Sequence, residues 1–303
     1  MDEMSNYTNS SEFPFVSVVI CTYNRKNMLK TCLSSVYMQN YPKNRFEIIV
    51  VDGGSTDGTR ELCKEFPKLR FVVEHKFGLA HARNKGAKLS KGSIISYTDD
   101  DCVVDESWLM NLIRGFQYSK SVMGVGGPVY PLRPDRIPDK IHVKDALGLF
   151  YRGTEAVLTD GLITSNVAFK KEIFKKIIFD ESLGITRKSK LILAGEDTFF
   201  CKKIIESGYS LMYIPDSKVF HNIPCDRIRI SYILKRGIHS GVTKTRIFLK
   251  QKQSRMWAIR YSLVQLMQTL LKIPVDRSFT SCYLLVYSIS TFFVSISGLD
   301  KIL

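Results

Sequence analysis

Three consecutive carboxylates, Asp99, Asp100 and Asp101, follow the apolar run SIISYT (93–98). Crowded acids raise one another's pKa unless a cation or hydrogen-bond donors compensate them. A divalent ion shared between one or two carboxylates and diphosphate oxygens would do so, as in Mg²⁺ sites that combine protein and phosphate ligands. Acidic triplets also occur on ordinary loops, so the company of this one matters. Gly78-Leu-Ala-His-Ala-Arg83-Asn84 opens a helical stretch, and a helix N-terminus beside an Arg suits an anionic diphosphate. Gly195-Glu196-Asp197 opens another, where the dipole favours acids whatever their task. Thr22, Asn24 and Asp52 stand at the ends of two further apolar runs, although Asn and Asp equally favour turns. His221 follows YIPDSKVF.

The elements that must position these residues alternate. FVSVVIC (15–21), FEIIVVD (46–52), 70–74 and SIISYT (93–98) read as buried strands. Between them, Met28, Leu29, Cys32, Leu33 and Val36 recur at helical spacing, and 60–66 and 78–89 read as helices. This alternation predicts a mostly parallel, doubly wound α/β sheet, whose ligands bind at the carboxyl ends of the strands. Thr22, Asp52 and Asp99–Asp101 occupy those ends. A further strand is expected within 122–129, a helix over 195–207 and a short strand at 210–214. Residues 130–165 carry Pro, Gly and charge with no clear period, as functional loops do.

Among 303 residues, 44 Lys and Arg stand against 29 Asp and Glu, a formal net charge of +15. Twelve of the basic residues, against three acids, lie between Cys201 and Arg255, directly before the most apolar part of the chain. That placement favours an anionic membrane surface over nucleic acid as partner. Residues 279–299 hold no charged side chain and are long enough to cross a bilayer. Residues 257–273 are interrupted by Arg260 and fit either the first half of a hairpin turning at Pro274–Arg277 or an interfacial helix. Lys250, Lys252 and Arg255 would face the cytoplasm by the positive-inside rule. Seven scattered cysteines without CxxC spacing suit a reducing compartment. The polar N-terminus lacks the pattern of a signal peptide, and the glycosylation matches at Asn6 and Asn9 are read as chance.

Taken in order, VSVVICTYNR, EIIVVDGGSTDGT, GLAHARNKG, ISYTDDDCVVDESWL, AGEDTFF and VFH resemble the motif series of family 2 glycosyltransferases of the GT-A fold, over about residues 15–225. The resemblance implies a Rossmann-like, mostly parallel sheet flanked by helices, in a GT-A domain at 14–225; composition and hydropathy add a flexible tail at 1–13 and a basic helical region with membrane-associated or transmembrane helices at 226–303. It implies that Thr22, Asn24 and Asp52 hold base and ribose, with Arg83 near the diphosphate. Asp99 would lie nearer the ribose, and Asp101 and His221 would hold Mn²⁺ or Mg²⁺. Asp197 matches the catalytic base, with Glu196 beside it, and Thr164-Ser165-Asn166 lies where the family lines its sugar pocket. The implied reaction is inverting transfer from a nucleotide-diphosphate sugar to an acceptor hydroxyl; the basic C-terminal part, by holding the site near a bilayer, points to a lipid-linked or glycan acceptor at the cytoplasmic face of the cell membrane. The oligomeric state is left open.

Two departures qualify this. Gln253-Ser-Arg255-Met-Trp257 has the residues of the processive QxxRW motif at the wrong spacing, so single addition is expected. The family's acid after Tyr-Asn is replaced by Arg25, and the resemblance carries no role for that position. A nucleotidyltransferase would need a Gly-rich, Arg- and Lys-bearing loop after the first strand, and a dehydrogenase a GxGxxG turn; neither occurs. The remaining alternative is an inactive GT-A domain serving as a membrane-bound scaffold.

Overall fold

The computed structural model describes residues 13–137, 144–183, 194–250, 255–272 and 279–297. The expected tail at 1–13 (except Phe13), the turn at Pro274–Arg277 and the 253–254 part of the Gln-Arg-Trp segment lie outside them. The first half of the chain alternates as its apolar runs require: β1 (Val16–Thr22), α1 (Lys26–Tyr37), β2 (Phe46–Asp52), α2 (Thr59–Lys64), β3 (Leu69–Val73), α3 (Leu79–Leu89) and β4 (Ile94–Asp99). Then come β5 (Cys102–Val104), α4 (Trp108–Gly115), β6 (Val122–Gly126), β7 (Val129–Pro131), α5 (Lys144–Leu147), β8 (Val157–Thr159) and β9 (Val167–Lys170). The rest is α6 (Glu196–Glu206), β10 (Ser210–Tyr213), β11 (Val219–His221), α7 (Ile230–Lys250), α8 (Arg255–Lys272) and α9 (Phe279–Ser297).

Eight strands form one sheet in the order β3-β2-β1-β4-β9-β6-β10-β8. The β3-β2-β1-β4 half is parallel, whereas β9 runs antiparallel to both β4 and β6. Strand order reverses beside β1, the position at which open α/β sheets bind ligands. Register does the rest: Thr22 pairs with Asp52 and Cys21 with Asp99, so three polar residues end in one row. Apolar side chains on one face of the sheet pack on α1 and α4 through Leu29, Leu33, Trp108 and Leu112. The other face packs on α3 and α6 through Ala80, Ala87, Phe200 and Ile204. A second, three-stranded sheet has the order β5-β11-β7, and His221 pairs with Cys102 across its β11–β5 ladder.

The chain divides into two compact units. Residues Met1–Tyr130, Phe150–Asp180 and Asp197–Asn222 form the first, which holds both sheets apart from the tip of β7. Pro131–Leu149, Glu181–Glu196 and Ile223–Leu303 form the second. Inside it, α7 packs on α9 so closely that a Cβ on Gly241 would collide with the Tyr287 carbonyl. Thr245 Oγ1 donates to the Thr291 carbonyl at 3.2 Å across the same seam.

The bilayer-crossing segment expected over 279–299 is corrected by this unit. Among the described residues no helix is long and apolar enough to cross a membrane. In α9, seven of nineteen residues are Ser or Thr, which lowers its hydropathy. Ser290, Thr291 and Ser295 return their hydroxyls to carbonyls one turn back, as polar side chains do inside helices.

Candidate functional site

The acidic triplet caps β4, and each carboxylate has its own partners. Asp99 Oδ1 accepts from Arg83 Nη2 at 3.3 Å. Asp100 is buried, taking the Thr22 hydroxyl at 2.8 Å and Arg25 Nη1 at 2.9 Å. Asp101, also buried, takes the same Arg25 nitrogen at 2.9 Å, and His221 Nε2 stands 3.4 Å from its Oδ2. Desolvation raises the Asp99 carboxyl above its ordinary value, while Arg83 pulls it down. Burial pushes Asp100 up to about 6, opposed first by Arg25.

Local folding explains each placement. Arg83 is only 3% exposed because α3 lays that face on the sheet. Its guanidinium lies over the Phe179 ring at 5.8 Å. The Tyr97 hydroxyl donates to the Arg83 carbonyl at 3.2 Å, tying the helix to β4. His221 reaches the triplet because β11 pairs antiparallel with β5, and the Asn222 N–H donates to the Asp101 carbonyl at 2.8 Å.

Asn24 and Asp52 meet through the loop after β2. Asp52 accepts the Gly54 and Ser55 N–H groups at 3.0 and 2.8 Å, and the Ser55 hydroxyl. Asn24, at a left-handed φ of 51°, donates its N–H to Ser55 Oγ at 2.7 Å and accepts from Thr56 N at 2.8 Å. Beside this loop lies an open cleft of about 640 Å³, lined by Asp52, Gly54, Ser55, Arg60, His75 and the β3 residues 71–73. Its size suits a small organic ligand.

Glu196 and Asp197 open α6. Glu196 is 5% exposed, and the half-buried Asp197 accepts the Thr198 N–H at 2.7 Å. Thr164 and Ser165 are buried, and the Ser165 carbonyl accepts the Thr98 hydroxyl at 3.0 Å. Asn166 is fully buried; its Oδ1 accepts Trp108 Nε1 at 2.8 Å, and its Nδ2 donates to the Pro128 and Ser217 carbonyls. Its amide therefore holds β9 to α4 and the segments beside it, leaving the pocket-lining expectation without a free polar group at that position.

The structure thus brings together Thr22, Arg83, Asp99, Asp101 and His221, and joins Asn24 to Asp52. It adds Arg25, to which the sequence assigned no part, and gives Asp100, the middle acid of the triplet, partners of its own in Thr22 and Arg25. Arg25 bears no motif signal of its own, because its partners lie 75 and 76 residues away. Among the described residues no cluster of three or more His, Cys, Asp or Glu is arranged around one ion. Asp101 and His221 do suit a divalent cation: carboxylate oxygen beside imidazole nitrogen is a donor pair for Mn²⁺, with the other positions left to diphosphate and water. Arg25 already brings a positive charge to that oxygen, a stand-in that fits the same demand.

A family profile described as glycosyl transferase family 2 matches residues 17–178. Glycosyltransferase AglE of Haloferax volcanii is 30% identical over 212 residues, covering 68% of this chain and 66% of that protein. The glucosyl-dolichyl phosphate glucuronosyltransferase of the same organism is 27% identical over 244 residues, 76% of each. Among solved structures, the mannosyltransferase PcManGT of Pyrobaculum calidifontis, in complex with GDP-Man and Mn²⁺, superposes with a TM-score of 0.60 at 20% identity. That match covers 97% of this chain and 76% of the other, and it shows a shared GT-A fold. Profile, relatives and fold agree, and the chain belongs to glycosyl transferase family 2.

Proposed function

We propose that this glycosyltransferase moves one sugar at a time, with inversion, from a nucleoside diphosphate sugar to a hydroxyl of a lipid-linked sugar at a membrane surface. The observation that carries it is the meeting of Asp101 and His221 beside the Asp99–Arg83 pair, at the switch point of the sheet. The relative named for a dolichyl phosphate sugar supports the lipid-linked acceptor, and the GDP-Man and Mn²⁺ of the fold relative support donor and metal.

In this reading the nucleoside occupies the cleft at Asp52, with Thr22 paired to Asp52 across the β1–β2 ladder and Asn24 bonded to Ser55 of the cleft wall. Arg83, fixed by Phe179 and Tyr97, pairs with the diphosphate. Asp101 and His221 would hold Mn²⁺ or Mg²⁺, which when bound neutralises charge on the departing nucleoside diphosphate. Asp197 accepts the proton of the acceptor hydroxyl while that oxygen bonds to the anomeric carbon. The bond from that carbon to the phosphate oxygen breaks, and its electron pair leaves with the diphosphate. Glu196 stands beside the base at the start of α6, where the helix dipole favours both carboxylates.

Donor binding and turnover, measured with Mn²⁺ and with chelator, test the reading. Asp101→Ala is expected to weaken metal-dependent donor binding. Asp197→Asn is expected to leave binding intact and lower turnover by about a thousandfold. Failure of every nucleotide sugar to bind under any metal condition would return the chain to the scaffold alternative.

A further inference from the structure

We propose that Arg25 is the internal counter-cation of the acidic triplet in the donor-free enzyme, and that the divalent ion must displace it from Asp101 in order to bind. The inference rests on the metal assignment above and adds a competitor to it. One guanidinium nitrogen, Arg25 Nη1, lies 2.9 Å from Asp100 Oδ1 and 2.9 Å from Asp101 Oδ2. That second oxygen is the one His221 faces at 3.4 Å. A cation held between Asp101 and His221 would therefore sit against a guanidinium, and two positive centres at contact distance repel strongly in a partly buried site.

The surroundings allow an exchange and confine it to the side chain. Both carboxylate side chains are 5% exposed and have no room to turn away, whereas the Arg25 side chain is 37% exposed and has an open side. The backbone around it is held on both flanks. Asn24 is bonded to Ser55 and Thr56, and the Lys26 N–H donates to Asp57 Oδ2 at 2.8 Å. Arg25 is thus a long, charged side chain on a fixed stem, with one charge-assisted anchor at the triplet. A diphosphate entering with the metal would offer the released guanidinium a new anionic partner. Metal and diphosphate then favour each other's binding, because each removes part of the other's cost.

The test is Mn²⁺ alone titrated into the full chain without nucleotide, read from the free Mn²⁺ electron paramagnetic resonance signal. Arg25→Ala is expected to tighten Mn²⁺ binding on the order of tenfold or more, the effect of removing one charge-assisted competitor. Arg25→Lys should fall between that variant and the unaltered chain, and Asp101→Asn should abolish binding. In chelator Arg25→Ala should melt lower, and Mn²⁺ should restore more of its Tm than it adds to the unaltered chain; a purely structural staple would show no such rescue. Should Arg25→Ala not fold, Arg25→Gln removes the charge and keeps a hydrogen-bonding head, with the same tightening expected. Mn²⁺ binding that Asp101→Asn abolishes but that Arg25 variants leave equal or weaker overturns the inference alone. Mn²⁺ binding that ignores Asp101→Asn, or is absent from every variant, overturns the metal assignment beneath it.

Discussion

Asn166 and Arg25 look alike in a sequence, as single polar residues near motifs, yet their chemistry differs. The Asn166 amide is enclosed and makes three hydrogen bonds to groups 38, 51 and 58 residues away. Asn166→Ala leaves the Trp108 N–H and the Ser217 carbonyl without these bonds in the core, while the Pro128 carbonyl keeps the Val219 N–H; each unpartnered group costs about 1–3 kcal/mol. We expect a loss of about 3 kcal/mol in denaturant unfolding, with little change in the slope; a loss within 0.5 kcal/mol, the range of ordinary surface changes, would mean the amide is dispensable. Of the candidate site, the carboxylates and Arg83 were legible because their types are informative wherever they stand. What Asn166 and Arg25 do was not, since it depends on partners that only the folded chain brings near. Thr22 is a mixed case: its place at the end of β1 was readable, but its buried bond to Asp100 was not.

At the scale of elements, length and period decided what could be read. The long apolar runs of β1, β2 and β4 and the spacing in α1, α3 and α6 lie within two residues of their expected bounds. Strands β5 and β11, three residues each, carry no period, and their pairing joins segments more than a hundred residues apart. That pairing is what sets His221 beside Asp101. Strand β9, antiparallel between two strands of the sheet, likewise follows from tertiary packing rather than from local pattern. The seam between α3 and β1 gives a prediction of its own. A Cβ on Gly86 would fall inside contact distance of the Val19 side chain. Gly86→Ala gains about 1 kcal/mol of helix propensity, but overpacking at a buried seam costs about 1–3 kcal/mol. Rigid contact from the sheet makes the second effect win, so we expect a lower Tm and weaker donor binding as α3 carries Arg83 outward. A rise in Tm with donor affinity unchanged would show that the seam relaxes.

For the whole molecule the deciding quantities are charge and exposed apolar area. The chain carries +15, and nine of those excess positive charges lie between Cys201 and Arg255. The helices that follow keep large apolar side chains in solvent: Met256, Leu263, Val264 and Met267 on α8, and Ile289, Phe293 and Ile296 on α9, both sets at helical spacing. No described helix crosses a bilayer, so attachment, if it uses these side chains, is interfacial. Electrostatic attraction acts within about 10 Å at 0.1 M salt and weakens as salt rises, whereas apolar insertion does not. We therefore expect co-sedimentation with vesicles containing phosphatidylglycerol, much less with phosphatidylcholine alone, and partial release as NaCl is raised. Met267→Asp with Phe293→Asp should convert partial release into complete release, because only the screened component remains. Equal binding to both vesicle types would mean that apolar insertion alone holds the chain; complete release by salt in the unaltered chain, or no binding to either vesicle, would mean the apolar side chains serve a protein partner instead, and the acceptor would then have to reach the site without a shared membrane surface.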